Sequence, residues 1–323
     1  MSSQRSAASR RSFAGNREGA GFVASLAFVG LASVRDVYLA GLFQRVSPLT
    51  VASVAFALCS LVFLPIALGR DPASLRRLLA RPRELFWINA TSALAWISFF
   101  YALRTIEPLL VQILFAGVGP LSVTWIDRWV PGGAATVSLT RVERSLQRGV
   151  LAALGFAAVV ALSGRSGIGP QPVTTAGLGV ALAIVAGVSI SVNTTLCRRL
   201  NDAGVDPAAL MSVRFVGAVV AAAALARELP ALLVPGTLAV VVGASLGLIV
   251  LPNYVNQVGI SLASPLTVRV VLAVGPALTF LLQLADGRLS SSPYSLGAAV
   301  FYGVFAIWAA LARRRAISRA AFA

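Results

Sequence analysis

Two ionisable residues stand side by side in the first long apolar run of the chain: Arg35 and Asp36, in Leu-Ala-Ser-Val-Arg-Asp-Val-Tyr-Leu-Ala. A guanidinium grips planar carboxylates or phosphates through a two-pronged fork. A short carboxylate inside hydrocarbon must find a partner, water or a proton. Asp36 is therefore a candidate proton or substrate-amine site and Arg35 a candidate anion clamp. The plainer alternatives are a structural ion pair closing an outer gate, or an arginine that snorkels outward. Successive helix positions point about 100° apart, so the two side chains need not pair with each other. Arg214, in Met-Ser-Val-Arg-Phe, and Arg269, in Leu-Thr-Val-Arg-Val, lie in later apolar runs, close enough to one end for their stems to reach headgroups. If all three arginines instead face an interior, a single aspartate balances them. That excess favours a substrate carrying a carboxylate or phosphate.

Uncharged polar residues recur at helical spacing in the same kind of run. Asn253, Asn256 and Gln257 share one side, as do Asn89, Ser92 and Trp96, and Ser189, Asn193 and Cys197. Such amides either bind helices together or line a substrate path. Trp96 and Tyr101 can stack on a substrate, although Tyr101 and Gln112 fall near a span end, where interfacial placement accounts for them. Pro120, Pro252 and Pro276 interrupt apolar runs and free carbonyls that can meet substrate or permit bending. Gly243-x-x-x-Gly247 suits close helix approach within a bundle, with a homodimer as its other use. Histidine is absent, and Cys59 and Cys197 sit far apart in apolar runs, where they read as inert packing. The carboxylates are scattered singly. No metal, cofactor or catalytic constellation is expected, and the chain does not read as an enzyme.

The elements that hold these groups are membrane spans. The 323 residues are 58% hydrophobic and only 12% charged, with mean hydropathy +0.85. An ordinary soluble domain is about 25% charged. Apolar runs of roughly 20 residues, each enough to cross ~30 Å of hydrocarbon, recur from Ala20 to Ala312. The pattern predicts an all-α polytopic protein of about ten spans, at 20–43, 48–69, 85–104, 108–130, 148–164, 173–197, 207–229, 236–260, 264–285 and 293–312. Residues 1–19, rich in Ser, Ala and Arg, read as a disordered cytoplasmic tail and 313–323 as a basic cytoplasmic tail. The first run, of about 24 residues, exceeds the apolar core of a cleaved leader, and no clear cleavage site follows it.

Net charge is +16, all of the excess being arginine. Nucleic acid is not the expected partner, because the arginines lie in loops between apolar runs rather than on one soluble face. With the N-terminus inside, the cytoplasmic segments collect Arg5 to Arg17, Arg70 to Arg83, Arg128 to Arg148, Arg198, Arg199 and Arg313 to Arg319. The outer loops hold only Arg45, Arg104, Arg165, Arg227 and Arg288. This asymmetry puts both termini in the cytoplasm. Arginine to the exclusion of lysine, among abundant Ala, Gly and Val, is the product of GC-rich coding and points to a bacterial inner membrane.

One stretch has a partner elsewhere in the chain. Tyr101-Ala-Leu-Arg-Thr-Ile-Glu-Pro continues to Val-Gly-Pro120, and Gln257-Val-Gly-Ile-Ser-Leu-Ala-Ser-Pro continues to Val-Gly-Pro276. Both are a helix end, a short hairpin with proline and an apolar run closed by Val-Gly-Pro. Five spans per copy is an odd number, so residues 20–164 and 173–312 enter the membrane as inverted repeats, the arrangement of secondary transporters. These hairpins, with Ser47-Pro48-Leu49-Thr50, Met211-Ser-Val-Arg214-Phe and Gly287-Arg288-Leu289-Ser290, resemble the drug/metabolite transporter superfamily, EamA type. The resemblance spans nearly the whole chain. It implies secondary export of a small molecule, with the bilayer and that substrate as partners and protons as the candidate driving ion. Ala55 stands where that family often has an arginine in span two. A small polar metabolite, an amino acid or related carboxylate, is the first expectation for the cargo; an amphipathic drug or natural product is the second. A polytopic lipid-modifying enzyme and a non-transporting scaffold are the readings from other classes.

Overall fold

The structure is a computed structural model that describes residues 2–129, 140–226, 234–263, 265–287, 289–290 and 292–322. It is all helical, with no strand among the described residues. The helices are α1 (Ser2–Leu42), α2 (Pro48–Arg70), α3 (Pro72–Leu79), α4 (Pro82–Thr105), α5 (Pro108–Trp129), α6 (Arg141–Leu162), α7 (Val173–Asp202), α8 (Pro207–Val213), α9 (Val216–Leu225), α10 (Pro235–Ala244), α11 (Leu251–Leu262), α12 (Pro265–Leu272), α13 (Gly275–Ala285) and α14 (Pro293–Phe322). A π-helical turn, Ser245–Val250, joins α10 to α11. Proline opens α2, α3, α4, α5, α8, α10, α12 and α14, where its missing N–H costs nothing and its fixed φ suits the first turn.

Eight helical stretches among the described residues are long and apolar enough to cross a membrane, and Pro108–Gly119 and Gly275–Ala285 are shorter apolar helices. Burial follows the membrane pattern. Leu61, Val62, Leu64 and Leu68 on α2, Leu281 and Leu284 on α13 and Trp308 on α14 face outward, while Arg35, Asp36, Glu107 and Arg214 are buried. Apolar exterior and charged interior together mark an integral membrane protein.

Several elements depart from the sequence expectations. α1 runs from Ser2, through the residues expected as a disordered tail, and α14 runs on to Phe322; both stretches are rich in the good helix formers Ala and Arg. α6 begins at Arg141, seven residues ahead of the expected span, because Thr140 and Glu143 form a capping box: Thr140 Oγ1 accepts from Glu143 N–H at 3.2 Å and Glu143 Oε2 from Thr140 N–H at 2.7 Å. α3 was expected as loop; Asp71 caps it, accepting from Ser74 N–H at 3.0 Å. The seventh run breaks at Arg214–Phe215 without a proline, dividing α8 from α9.

α7 packs along α4 and α5, and α1 packs along α11, α12 and α13; α2 faces α8 and α9, and α6 faces α14. Glycine permits close approach at both hairpins. A Cβ on Gly179 of α7 would lie 2.4 Å from Thr105 Oγ1 at the α4–α5 hairpin, and one on Gly21 of α1 would lie 2.5 Å from Ala263 N at the α11–α12 hairpin. Only hydrogen fits at either place. The two hairpins lie at opposite ends of the bundle. One end carries Arg70, Arg76, Arg77, Arg81, Arg198 and Arg199; the other carries Arg45, Arg104 and Arg165.

Candidate functional site

The interior holds two polar centres separated by aromatic rings. The first is built on α1. Arg35 and Asp36 are 2% and 0% exposed, and Arg35 Nε donates to Asp36 Oδ1 at 2.7 Å. Gln112 Nε2, on the second turn of α5, donates to Asp36 Oδ2. The two neighbours, which helix geometry left free to pair or not, do pair: Arg35 carries its guanidinium on a flexible stem, which spans the angle between adjacent positions. Arg35 does not snorkel outward. Its guanidinium carbon lies 5.1 Å from the Trp96 ring centroid and 5.3 Å from that of Phe99. Arg35 Nη1 and Trp96 Nε1 are buried donors with no hydrogen-bond acceptor among the described residues.

The second centre lies at the α8–α9 break. Arg214 is 3% exposed and faces the interior, so its stem does not reach the headgroups. Its Nη1 donates to Gln257 Oε1 on α11 at 2.9 Å and its Nη2 to Asn193 Oδ1 on α7 at 2.9 Å. Asn193 is held in turn by α4: its Nδ2 donates to Ile88 O at 3.0 Å, Thr91 Oγ1 at 3.0 Å and Ser92 Oγ at 2.9 Å. Cys197 Sγ lies 3.5 Å from Asn193 Oδ1 and Cys59 Sγ 3.5 Å from Met211 O, both as free buried thiols. The break itself is satisfied from α4, because Asn89 Oδ1 accepts from Gly217 N–H at 2.8 Å, a donor that a continuous helix would pair internally. None of the ion pairs among the described residues includes Arg214. Arg214 Nε and Gln257 Nε2 are buried without an acceptor among the described residues.

Between the two centres Phe56 stacks on Phe215 at 4.6 Å and lies 5.8 Å from Trp96, while Arg214 sits 4.6 Å over the Phe215 ring. Phe43, Phe99 and Phe100 extend this apolar wall.

Each end of the bundle is tied to its hairpin by a different chemistry. At the arginine-poor end Glu107, 1% exposed in the α4–α5 hairpin, accepts from Gly167 N–H at 2.7 Å, Gln283 Nε2 at 2.7 Å and Ser295 Oγ at 2.6 Å. Gln283 Oε1 accepts from Leu109 N–H at 2.7 Å, so α13, α14 and the loop after α6 close over the hairpin. At the arginine-rich end Arg198 Nη1 donates to Ile260 O at 2.7 Å and Ala263 O at 2.9 Å, and its Nε pairs with Asp202 at 3.1 Å.

Of the residues singled out from sequence, Arg35, Asp36 and Trp96 meet in the first centre, and Asn193, Arg214 and Gln257 in the second. Asn253 is buried and spends its amide on its own helix, donating to Ile249 O at 2.8 Å; Asn256 is half-buried, outside that cluster. The side chain of Arg269 lies outside the described residues. Pro276 opens α13 after a turn at 273–274, and Pro252 follows the π-helical turn. Pro120 is different: α5 is one helix from Pro108 to Trp129, so no break occurs there. Gln112, Glu107 and Gln283 were passed over, the first because it lies near a span end. For Glu107 the available signal was its place in a two-residue hairpin between two spans, too short to lift a charge into solvent. No group of three or more metal-binding side chains occurs among the described residues.

No protein-family model matches the chain, and no curated protein matches it. A solved crystal structure, whose description names no function, superimposes with a TM-score of 0.58 at 19% identity, covering 93% of this chain and 98% of the other. Likeness at that identity concerns the fold alone. The chain is thus an all-helical integral membrane protein, with a likeness of fold that extends over nearly its whole length.

Proposed function

We propose that the protein is a secondary transporter of the drug/metabolite transporter superfamily, EamA type, that exports a small polar carboxylate across a bacterial inner membrane. Ten spans form two inverted five-helix repeats, with both termini in the cytoplasm. The observation that carries this reading is the pair of buried polar centres, one on the first half and one tied by Asn193 to both halves, inside a largely apolar bundle. Charged groups at that depth cost ~2.5 to 3.5 kcal/mol each on insertion scales and are retained where a pathway needs them. The exchange of partners supports the repeats: α1 lies on the α11–α12 hairpin as α7 lies on the α4–α5 hairpin, and Gly21 and Gly179 make matching approaches. In that pairing Arg35 corresponds to Asn193 and Ala55 to Arg214. Glu107 and Arg198 then hold the outer and inner hairpins, the places where alternating access requires separation. Asp36 is the carboxylate positioned to exchange a proton during the cycle.

A second reading is efflux of an amphipathic compound, favoured by the aromatic wall of Phe56, Trp96, Phe99, Phe100 and Phe215. Metabolites in the medium and the cytosol should be compared for cells with the intact protein, with Asp36→Asn and with none. The expected result is a carboxylate enriched outside only with the intact protein. An enriched neutral amphipath supports the second reading, and three matching profiles defeat both.

A further inference from the structure

We infer that the Arg214 centre binds a monocarboxylate with an apolar or aromatic body and no ammonium group. This rests on the transporter reading, keeps its carboxylate and exchanges the polar body proposed there for an apolar one. The charge of Arg214 is met by two amide oxygens, from Gln257 and Asn193. Amide dipoles solvate a cation without cancelling its charge. The groups beside it that lack acceptors, Arg214 Nε and Gln257 Nε2, are both donors. One carboxylate supplies what is missing: a single negative charge and two oxygens in a plane that matches the guanidinium edge.

An ammonium group has the opposite needs. It brings a second positive charge beside Arg214, and the two amide oxygens there carry no negative charge to offset it. Asp36 is paired with Arg35 on one oxygen and holds Gln112 on the other, so its charge is already compensated and offers an ammonium group little net attraction. A second carboxylate on the ligand is no better placed. Among the described residues Arg35 is the other buried cation, and Asp36 cancels its charge. Among the described residues, Arg214 is thus the buried cation left without a carboxylate partner, and it suits one negative charge.

The rings specify the remainder. Phe215 lies against the Arg214 guanidinium, Phe56 stacks on Phe215, and Trp96 follows. These rings are packed on one another here, so on the transporter reading a ligand body beside the guanidinium meets them as the bundle opens, and they offer an apolar or aromatic group dispersion contacts and no hydrogen bonds.

The test uses the full chain in lipid nanodiscs and four compounds with one aryl body: phenylacetate, phenylalanine, phenylsuccinate and phenethylamine. Ligand-induced thermal stabilisation and tryptophan fluorescence report binding. Phenylacetate should bind about tenfold or more tighter than each of the others, with affinity weakened about tenfold in Arg214→Lys, which keeps the charge but not the fork, and lost in Arg214→Gln. The inference is overturned if phenylalanine or phenylsuccinate matches phenylacetate, if phenylacetate does not bind at about 10 mM, a concentration that detects even millimolar affinity, or if both variants bind it normally. The wild-type series is decisive even if a variant does not fold. Failure of the transporter reading looks different: phenylacetate binds with the expected selectivity, yet proteoliposomes show no exchange of labelled phenylacetate.

Discussion

Arg35 and Arg214 are the same residue in the same solvent, buried to the same degree, and the bundle treats them in opposite ways. Arg35 has a carboxylate next to it in sequence, a glutamine on that carboxylate and two aromatic faces against its guanidinium. Arg214 has two amide oxygens and one ring. The first centre is closed electrostatically and the second is left with a net charge. A buried cation that is paired serves the architecture at least as well as it serves function, whereas an unpaired one persists only where something else requires it. The difference separates a strut from a binding group, and it can be tested residue by residue.

The largest effect is expected from breaking the closed pair on one side. Asp36→Leu strands Arg35 in the interior and should cost about 3 to 5 kcal/mol, read as a fall in thermal stability in detergent. Replacing both, as Arg35→Met with Asp36→Leu, should recover most of that loss. A double variant no more stable than the single one would show that Arg35 and Asp36 are not each other's compensation, and the contrast with Arg214 would lose its basis.

Next comes the tie at the arginine-poor end. Glu107→Gln keeps the shape but turns one accepting oxygen into a donor facing Gly167 N–H and Ser295 Oγ, and should cost about 2 kcal/mol. Hydrogen exchange around Gly167 should speed up while that of α7 stays unchanged. Uniform acceleration would mean that Glu107 supports the whole fold rather than one closure. Arg198→Ala tests the opposite end and should cost only about 1 kcal/mol, since the side chain is a third exposed and screened. Its faster exchange should be confined to the α11–α12 hairpin, and Arg198→Lys should fall between, because an ammonium does not reproduce the forked geometry.

These ties also show where sequence reasoning reaches and where it stops. Spans opened by proline are legible because the residue that permits the first turn also marks it. The break at Arg214–Phe215 is not, since no proline or glycine occupies it and the group that satisfies it, Asn89, belongs to another helix. The cost of burying a charge singles out Arg35, Asp36 and Arg214 without any structure. Their partners depend on how helices far apart in sequence face one another: Gln112 reaches Asp36 from α5, and Gln257 reaches Arg214 from α11. Snorkelling was a fair alternative for Arg214 on stem length alone. It fails because α8 ends just before the residue and Asn193 and Gln257 converge on it. Glu107 was overlooked for a related reason: a charge at a span end ordinarily needs no explanation, and only the loop after α6 and the starts and ends of α13 and α14 bury it.

The smallest effect on stability is expected at Arg214, and it is the most informative. Arg214→Met removes an uncompensated buried charge together with two hydrogen bonds to amide oxygens, and Asn193 Oδ1 keeps the Cys197 thiol beside it. Loss and relief nearly cancel, so stability should stay within about 1 kcal/mol of the parent. Transport of the cargo identified in cells should nevertheless be lost, whereas the double variant at Arg35 and Asp36, equally well folded, should retain cargo binding even if it no longer couples to protons. A stable Arg214→Met protein that still transports would place Arg214 among the struts and shift the search for the binding group to the aromatic wall. A large fall in stability would show that the amide oxygens alone compensate the charge, and that the two arginines differ less than their partners suggest.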